Sequence, residues 1–475
     1  MSARSIDRKT KFFYALSAVP FGIKEQSFNA FLMLYYNQVL GLSPVLTGIA
    51  ILIALCFDAL TDPAIGYISD NLKTKIGARL PLMYGAAIPT TIAFVLLWYP
   101  PASISQNQWQ LFAFLTIAAI CTRGFLGLFE IPSSALLPEI TKDYDQRTML
   151  ANLRMGFGWI SQITIAIISF VFFLVPTQTI SKGVLNPDGY KNFAILAGAI
   201  MLITMLGSAM GLHKNYAHST KEKTQKALPF FKTIKQLFSY HNFRAIFFAD
   251  IASMTAFGIS IAMQLYFATF LFDLTNLQIA PMGPIAILGA LVAMWLTPRI
   301  SRSKEKRAIA IIAAALSLMF GNGAIALRII GWFPENGSPY LVPAILVFVF
   351  SSTVFVVIKQ TMMSSMTADL IEALPPLEPH QKGAPQKQKT EGIFFAATSF
   401  SRKTVTGLGV FVSGLILSLS PNDNENFAKV FSDPTGIPLV YIIIISLSHI
   451  ATIFFLTKYT LTRKQHGENI EKQTI

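Results

Sequence analysis

Asp58 and Asp62 lie four residues apart in the stretch CFDALTDPAIGYISDNLKTKIGARLP, residues 56–81, inside a run that is otherwise apolar from Val45. On a helix this spacing puts both carboxylates on one face, one turn apart. A carboxylate at membrane depth is expensive and persists where it faces a cavity, a partner or an ion. Two of them with no basic residue between repel unless a cation sits there or one takes a proton. Pro63 cannot donate to the carbonyl of Ala59, which leaves an oxygen free beside the pair. Oxygen ligands of this kind suit hard cations. The stretch reads as a cation or proton site at a helix break. Either aspartate alone would fit the water interface equally well; the pair argues for an ion. The motif runs on through Gly66, Asp70, Lys73, Gly77 and Arg79, a polar loop where the chain leaves the membrane.

Other charges interrupt apolar runs. Lys24 and Glu25 are adjacent, so on a helix they point apart, and Glu25 is the one expected to face a cation pathway. The competing reading is a Lys–Glu pair that holds helices together. Arg123 and Glu130 precede Pro132 in one run, Arg154 opens the next, and Arg402 and Lys403 lie in a late one. Intramembrane charges are functional hypotheses with partners to be named. Glu130 is expected beside Arg154 near the solute, and Lys403 is expected to face Asp58 and Asp62 so that a cation competes with it. Arg123, Lys359 and Asp250 read instead as snorkelling or structurally paired. The charged loop residues Glu139, Asp143, Asp145, Arg147, Asp369 and Glu372 read as latches on one side of the membrane.

The elements that must position these groups follow from composition. The 475 residues are 53% hydrophobic and 13% charged, half the charge of a soluble domain, which marks a multi-pass membrane protein. A crossing takes about 20 apolar residues. Candidate spans are 12–40, 45–68, 80–99, 109–136, 150–175, 193–212, 245–272, 279–296, 308–333, 341–366, 392–419 and 439–456, about twelve in two sets of six. The fold class is therefore all-α, with a first half at 1–212, a linker at 213–244 and a second half at 245–475.

The net charge of +14 is concentrated in alternate loops, which sets topology and does not advertise nucleic acid. Lys and Arg crowd the second-to-third loop, the linker, the eighth-to-ninth loop (Arg299–Arg307) and the tail, so both termini are expected to be cytoplasmic. The loop at 100–108 has no charge, and the one at 421–434 is mainly acidic. The two halves read as distant repeats, LYYNQVLGLSP (34–44) resembling LYFATFLFDLT (265–275). Two parallel six-helix halves joined by a cytoplasmic linker is the major-facilitator plan. The eighth run keeps a proline but has no acid, so the architecture alone does not require Asp58 and Asp62. Cys56 and Cys121 both lie in apolar runs, against a disulfide framework. His213, His218, His241 and His380 read as loop residues, which leaves no nucleophile–base or metal constellation for a membrane enzyme. No glycine loop of the Walker type is present for ATP.

At YYNQVLGLS (35–43), FDALTDPAIG (57–66), EIPSSALLPEIT (130–141), ADLIE (368–372) and EGIFFAATSFSRK (391–403), the chain resembles the glycoside–pentoside–hexuronide:cation symporters typified by melibiose permease. The resemblance runs nearly end to end. It implies that Asp58 and Asp62, with Thr61 beside them, bind a coupling cation, Na⁺ or H⁺. It implies solute contacts at Glu130, Arg154 and Lys403; Glu25, Ser134 and Ser399 are further candidate solute contacts, and the charged loops supply gating candidates at Asp70, Arg79, Glu139, Asp145, Arg147 and Asp369. The chain departs from the pattern at the first-helix aspartate, near which Gly22 or Glu25 falls, and at Leu126, Gly127 and Ser134, where the family has a tyrosine, a threonine and an aromatic residue. The function so implied is cation-coupled transport of a sugar or glycoside by alternating access in the cytoplasmic membrane. A lysophospholipid or other amphiphile is the alternative solute. The partners expected are a small molecule, a coupling cation and the bilayer, with no cofactor, no nucleic acid and a working monomer.

Overall fold

Apolar runs of this length bury their backbone polar groups by folding into helices, and no strand occurs among the described residues. The computed structural model describes residues 6–72, 74–141, 143–216, 238–373, 386–420, 429–431, 433 and 436–461, with the side chains of 144, 145, 214–216, 371–373 and 386–400 left undescribed. Most of the linker, the loop at 421–434 and the basic tail therefore lie outside the described residues.

The helices are α1 (Arg8–Leu16), α2 (Val19–Gln26), α3 (Pro44–Asn71), α4 (Leu80–Leu97), α5 (Gln108–Ala135), α6 (Tyr144–Ile168) and α7 (Pro187–Tyr216). They continue as α8 (His241–Tyr266), α9 (Met282–Ser303), α10 (Lys306–Ile329), α11 (Leu341–Ala373), α12 (Gln386–Leu417) and α13 (Ile437–Lys458). Ten helices among the described residues are long and apolar enough to cross a bilayer. The first expected span is not one straight helix. It breaks between α1 and α2, then passes through two π-turns, Ser27–Phe31 and Tyr35–Val39. Gly41, at φ 73°, ends it, because a left-handed residue stops a helix at no steric cost. Gln108 then clamps the loop, accepting from Ser43 N at 2.8 Å and donating to the Gly41 carbonyl at 2.8 Å.

Contacts group the chain into two compact units. The first comprises 1–224, 261–283 and 410–426; the second comprises 225–260, 284–409 and 427–475. In the first unit α3 packs on α5, α4 on α5 and α7, and α2 on α6. Its aromatic core joins Tyr35, Trp98 and Tyr190, the last two stacked at 5.6 Å, while the Tyr35 hydroxyl donates to the Trp98 carbonyl at 3.0 Å. The stretch 261–283 enters this core through Tyr266, whose hydroxyl donates to Met33 O at 3.2 Å and Asn37 Oδ1 at 3.1 Å. In the second unit α10 packs on α11 and α13 around Phe243, Ile309, Ile358 and Met363. His213 and His241 belong to helix ends, not to the loops expected of them, because helices α7 and α8 extend beyond their apolar stretches.

Candidate solute and cation site

Helix α3 runs unbroken from Pro44 to Asn71 with Pro63 inside it, so the break expected at that proline does not occur. One lost hydrogen bond is tolerated where the flanking turns stay paired and a neighbouring helix packs alongside. That neighbour is α5. Gly124 and Gly127, three residues apart, let it come close; a Cβ on either would stand 3.3 Å from Phe57 Cε1 or 3.2 Å from Ile65 Cδ1. The close approach brings a basic side chain to the acidic stretch. Arg123 Nη2 donates to Asp58 Oδ2 at 2.6 Å, with both side chains about 6–7% exposed. Asp58 thus has a basic partner on α5 within the first unit. Arg123 also lies over the Phe28 ring at 5.3 Å. Thr61 spends its hydroxyl on the Phe57 and Asp58 carbonyls, at 2.9 and 3.3 Å. Asp62 is half-buried one turn along the same helix.

Glu25 and Glu130 also act electrostatically on the same guanidinium. Lys24 and Glu25 do not point apart as adjacent helical residues were expected to. The lysine stem folds back and its ammonium meets Glu25 Oε1 at 2.8 Å, lying over the Phe21 ring at 4.6 Å. Asn29 Nδ2 donates to the other Glu25 oxygen at 2.9 Å. Arg154 does come to Glu130, but through the main chain. Its Nη2 donates to the Glu130 carbonyl at 3.4 Å and to Ser133 Oγ at 3.2 Å, and its guanidinium faces the Tyr14 ring at 5.7 Å. The Glu130 carboxylate has no hydrogen-bond or ion-pair partner among the described residues. Ser134 is exposed, its hydroxyl on the Ile131 carbonyl at 2.8 Å. The Ser399 side chain lies outside the described residues, and Lys403 stands on α12 in the second unit.

The gating residues divide the same way. Arg79 joins Asp70 at 3.4 Å and Glu139 at 2.7 Å and also donates to the Ala135 carbonyl, tying the α3–α4 loop to the end of α5. Arg147 Nε donates to the Thr141 carbonyl at 2.8 Å, and Asp143 caps α6 by accepting from Gln146 N at 2.9 Å. The Asp145 side chain lies outside the described residues. In the second unit Asp369 takes Lys306 at 2.6 Å, and Asp250 takes Arg402 at 2.9 Å. Lys359 is 2% exposed in that unit.

Arg123 is the residue that sequence reasoning undervalued. The available signal was its spacing: Arg123 and Glu130 are seven apart, hence on one face of α5, two turns from each other. The pairing with Asp58 needed the helix packing to become visible.

Residues 13–463 match the family described as MFS/sugar transport protein. The chain belongs to that family. Over 420 residues it is 23% identical to the isoprimeverose transporter of Lactiplantibacillus pentosus, covering 86% of this chain and 79% of that one. A shorter stretch of 221 residues is 27% identical to an uncharacterized symporter of Synechocystis sp., covering 45% of this chain and 39% of that protein. The fold matches the inward open xylose transporter XylE from E. coli at a TM-score of 0.64, with 14% identity and 98% of each chain covered. This MFS protein is thus a multi-pass membrane carrier among carriers, not an enzyme, and resembles the glycoside–pentoside–hexuronide symporters.

Proposed function

We propose that this protein is a cation-coupled symporter of a sugar or glycoside, working by alternating access in the cytoplasmic membrane with both termini cytoplasmic. The observation that carries the reading is the charged cluster of the first unit, where Glu130 offers a carboxylate with no hydrogen-bond or ion-pair partner among the described residues, two turns along α5 from Arg123, while its main-chain carbonyl accepts from Arg154. A half-buried carboxylate and a guanidinium together hold neighbouring hydroxyls by charge-assisted bonds, the chemistry a sugar needs. Support comes from the family's description as sugar transport proteins and from the likeness to an isoprimeverose transporter. The coupling cation acts on the acidic face of α3, at Asp58 and Asp62 with Thr61 alongside. Arg123 is the fixed positive charge with which it competes for Asp58. Glu25, Ser134, Ser399 and Lys403 complete the solute contacts, and binding of ion and solute shifts the balance between the alternate states.

An apolar recess of about 260 Å³ beside α2 and α6, lined by Val19, Ile23, Phe157, Ile160 and Ile168, favours the second reading, a carrier of an amphiphile. Both readings meet one experiment. Proteoliposomes are given a panel of sugars, glycosides and lysolipids under imposed H⁺ or Na⁺ gradients, with Asp62→Asn beside the wild type. Gradient-driven uptake of one glycoside, lost in the variant, is the expected result. Uptake indifferent to both gradients would remove the symport reading, and driven uptake of a lysolipid alone would replace the sugar.

A further inference from the structure

Lys359 meets neither expectation for it: it does not snorkel, and it is not paired. It sits near the middle of the 33-residue α11, roughly 20 Å or more from either end of the helix. It is 2% exposed, and among the described residues its ammonium has no ion-pair or hydrogen-bond partner. It shares one face of α11 with Phe355, Met362 and Met366, which pack into the core of the second unit. Asp250 on α8 and His449 on α13 are the titratable groups that act on it electrostatically. Neither supplies its counter-charge. Both Asp250 oxygens are taken by Arg402, at 2.9 and 3.3 Å, and His449 Nδ1 turns to the Ile445 carbonyl at 3.0 Å. Ser253, one turn past the core residue Ala249, is 1% exposed, and its hydroxyl has no partner among the described residues. The cluster thus carries one positive charge in excess, Lys359 and Arg402 against Asp250.

We propose that Lys359 binds an oxyanion of the solute, so that the sugar or glycoside carried bears a carboxylate, sulfate or phosphate group. The inference rests on the sugar-carrier reading and names the charge of its solute. An ammonium shut away from water is costly unless a counter-charge comes to it. A neutral sugar brings hydroxyls but no such charge. An oxyanion offsets the cost through an attraction that the low dielectric leaves strong. The ammonium offers three donors that rotate to suit, and the Ser253 hydroxyl adds one more from α8. A structural basic residue in this unit is given an acid of its own, as Lys306 has Asp369 at 2.6 Å and Arg402 has Asp250. An apolar residue would fill the place without the charge, since the same face already carries Met362 and Met366. Lys359 is neither, and its charge is left for what binds to it.

The test is thermal unfolding of the whole protein in lipid nanodiscs at constant ionic strength, titrated with sugars paired by charge. The pairs are glucuronate and glucose, galacturonate and galactose, methyl glucuronide and methyl glucoside, and sulfated or phosphorylated glucose against glucose. At least one acidic member should raise the wild-type midpoint saturably, by roughly 2 °C or more, and its neutral partner should not. Lys359→Arg keeps the charge and should keep that preference. Lys359→Met should unfold at or above the wild-type midpoint without sugar and should lose the response to the acidic member. A neutral member that stabilises the wild type as strongly as its acidic partner overturns the proposal, and so does a panel with no response. An acidic member that stabilises Lys359→Met as it does the wild type also overturns it. Should Lys359→Met fail to fold, Lys359→Gln takes its place; failure of both overturns the proposal, because the charge then serves the scaffold. The midpoints are read without a gradient, so uptake indifferent to both gradients would remove the symport reading and leave this result standing. Gradient-driven uptake of a neutral glycoside, unchanged in Lys359→Met, would keep the symport reading and overturn this one.

Discussion

At the scale of the residue, a buried ion pair is mutual compensation, and each partner is costly without the other. Asp58→Asn removes the carboxylate that Arg123 Nη2 bonds at 2.6 Å, and the loss should be about 3–5 kcal/mol in thermal unfolding. Adding Arg123→Gln to Asp58→Asn removes both charges and should recover most of that loss, which a double-mutant cycle would read as coupling between the two sites. Glu130 behaves in the opposite way. Because its carboxylate bonds nothing among the described residues, Glu130→Gln should leave the unfolding midpoint nearly unchanged. Its cost should fall on the solute, about tenfold or more in apparent affinity for uptake, the worth of one charge-assisted hydrogen bond. A midpoint that drops with Glu130→Gln would assign that residue to the scaffold.

At the scale of the element, the close crossing of α3 and α5 decides which side chains meet. Gly127 faces Ile65 with room for little more than a hydrogen atom. Gly127→Ala asks a flexible Ile65 methyl to yield a few tenths of an ångström and should be mild. Gly127→Leu should cost about 1–3 kcal/mol by overpacking and also draw Arg123 away from Asp58. Uptake should then fall further than for Gly127→Ala, although no charge has been touched; equal uptake for the two would show that the crossing does not control the pair. The polar end of the same helices is tied by Arg79 to Asp70, Glu139 and the Ala135 carbonyl. The α3–α4 loop is thereby pinned to the end of α5, and sequence alone supplied the three charged members but not the carbonyl.

At the scale of the whole molecule, the compact units do not follow chain order. The first draws 261–283 and 410–426 into its contacts, with Tyr266 bonded to Met33 and Asn37 and Lys182 Nζ donating to the Thr269 carbonyl at 2.6 Å. A fragment of residues 1–224 made alone lacks these partners and should accumulate poorly or unfold early. Co-expressed with 225–475, it should regain stability and uptake, since the cut falls in the linker. Recovery of full thermal stability by 1–224 alone would show that its core closes without the later segments.

Hydropathy and charge placement, read along the chain, determined the all-helical membrane architecture and the acidic stretch at Asp58 and Asp62. These are one-dimensional properties: a span needs only length and apolarity, and a helical face needs only spacing. The tertiary structure decided the partners. Arg123 and Asp58 are 65 residues apart and meet because two glycines on α5 permit a close crossing. The continuity of α3 through Pro63 was likewise settled by packing, since a proline costs one hydrogen bond whether or not its neighbours hold the helix straight. Lys24 found Glu25 because a lysine stem is long enough to fold back, a freedom that residue spacing does not encode. Which charges exist was written in the sequence; which of them compensate one another was a matter of distance, and distance belongs to the fold.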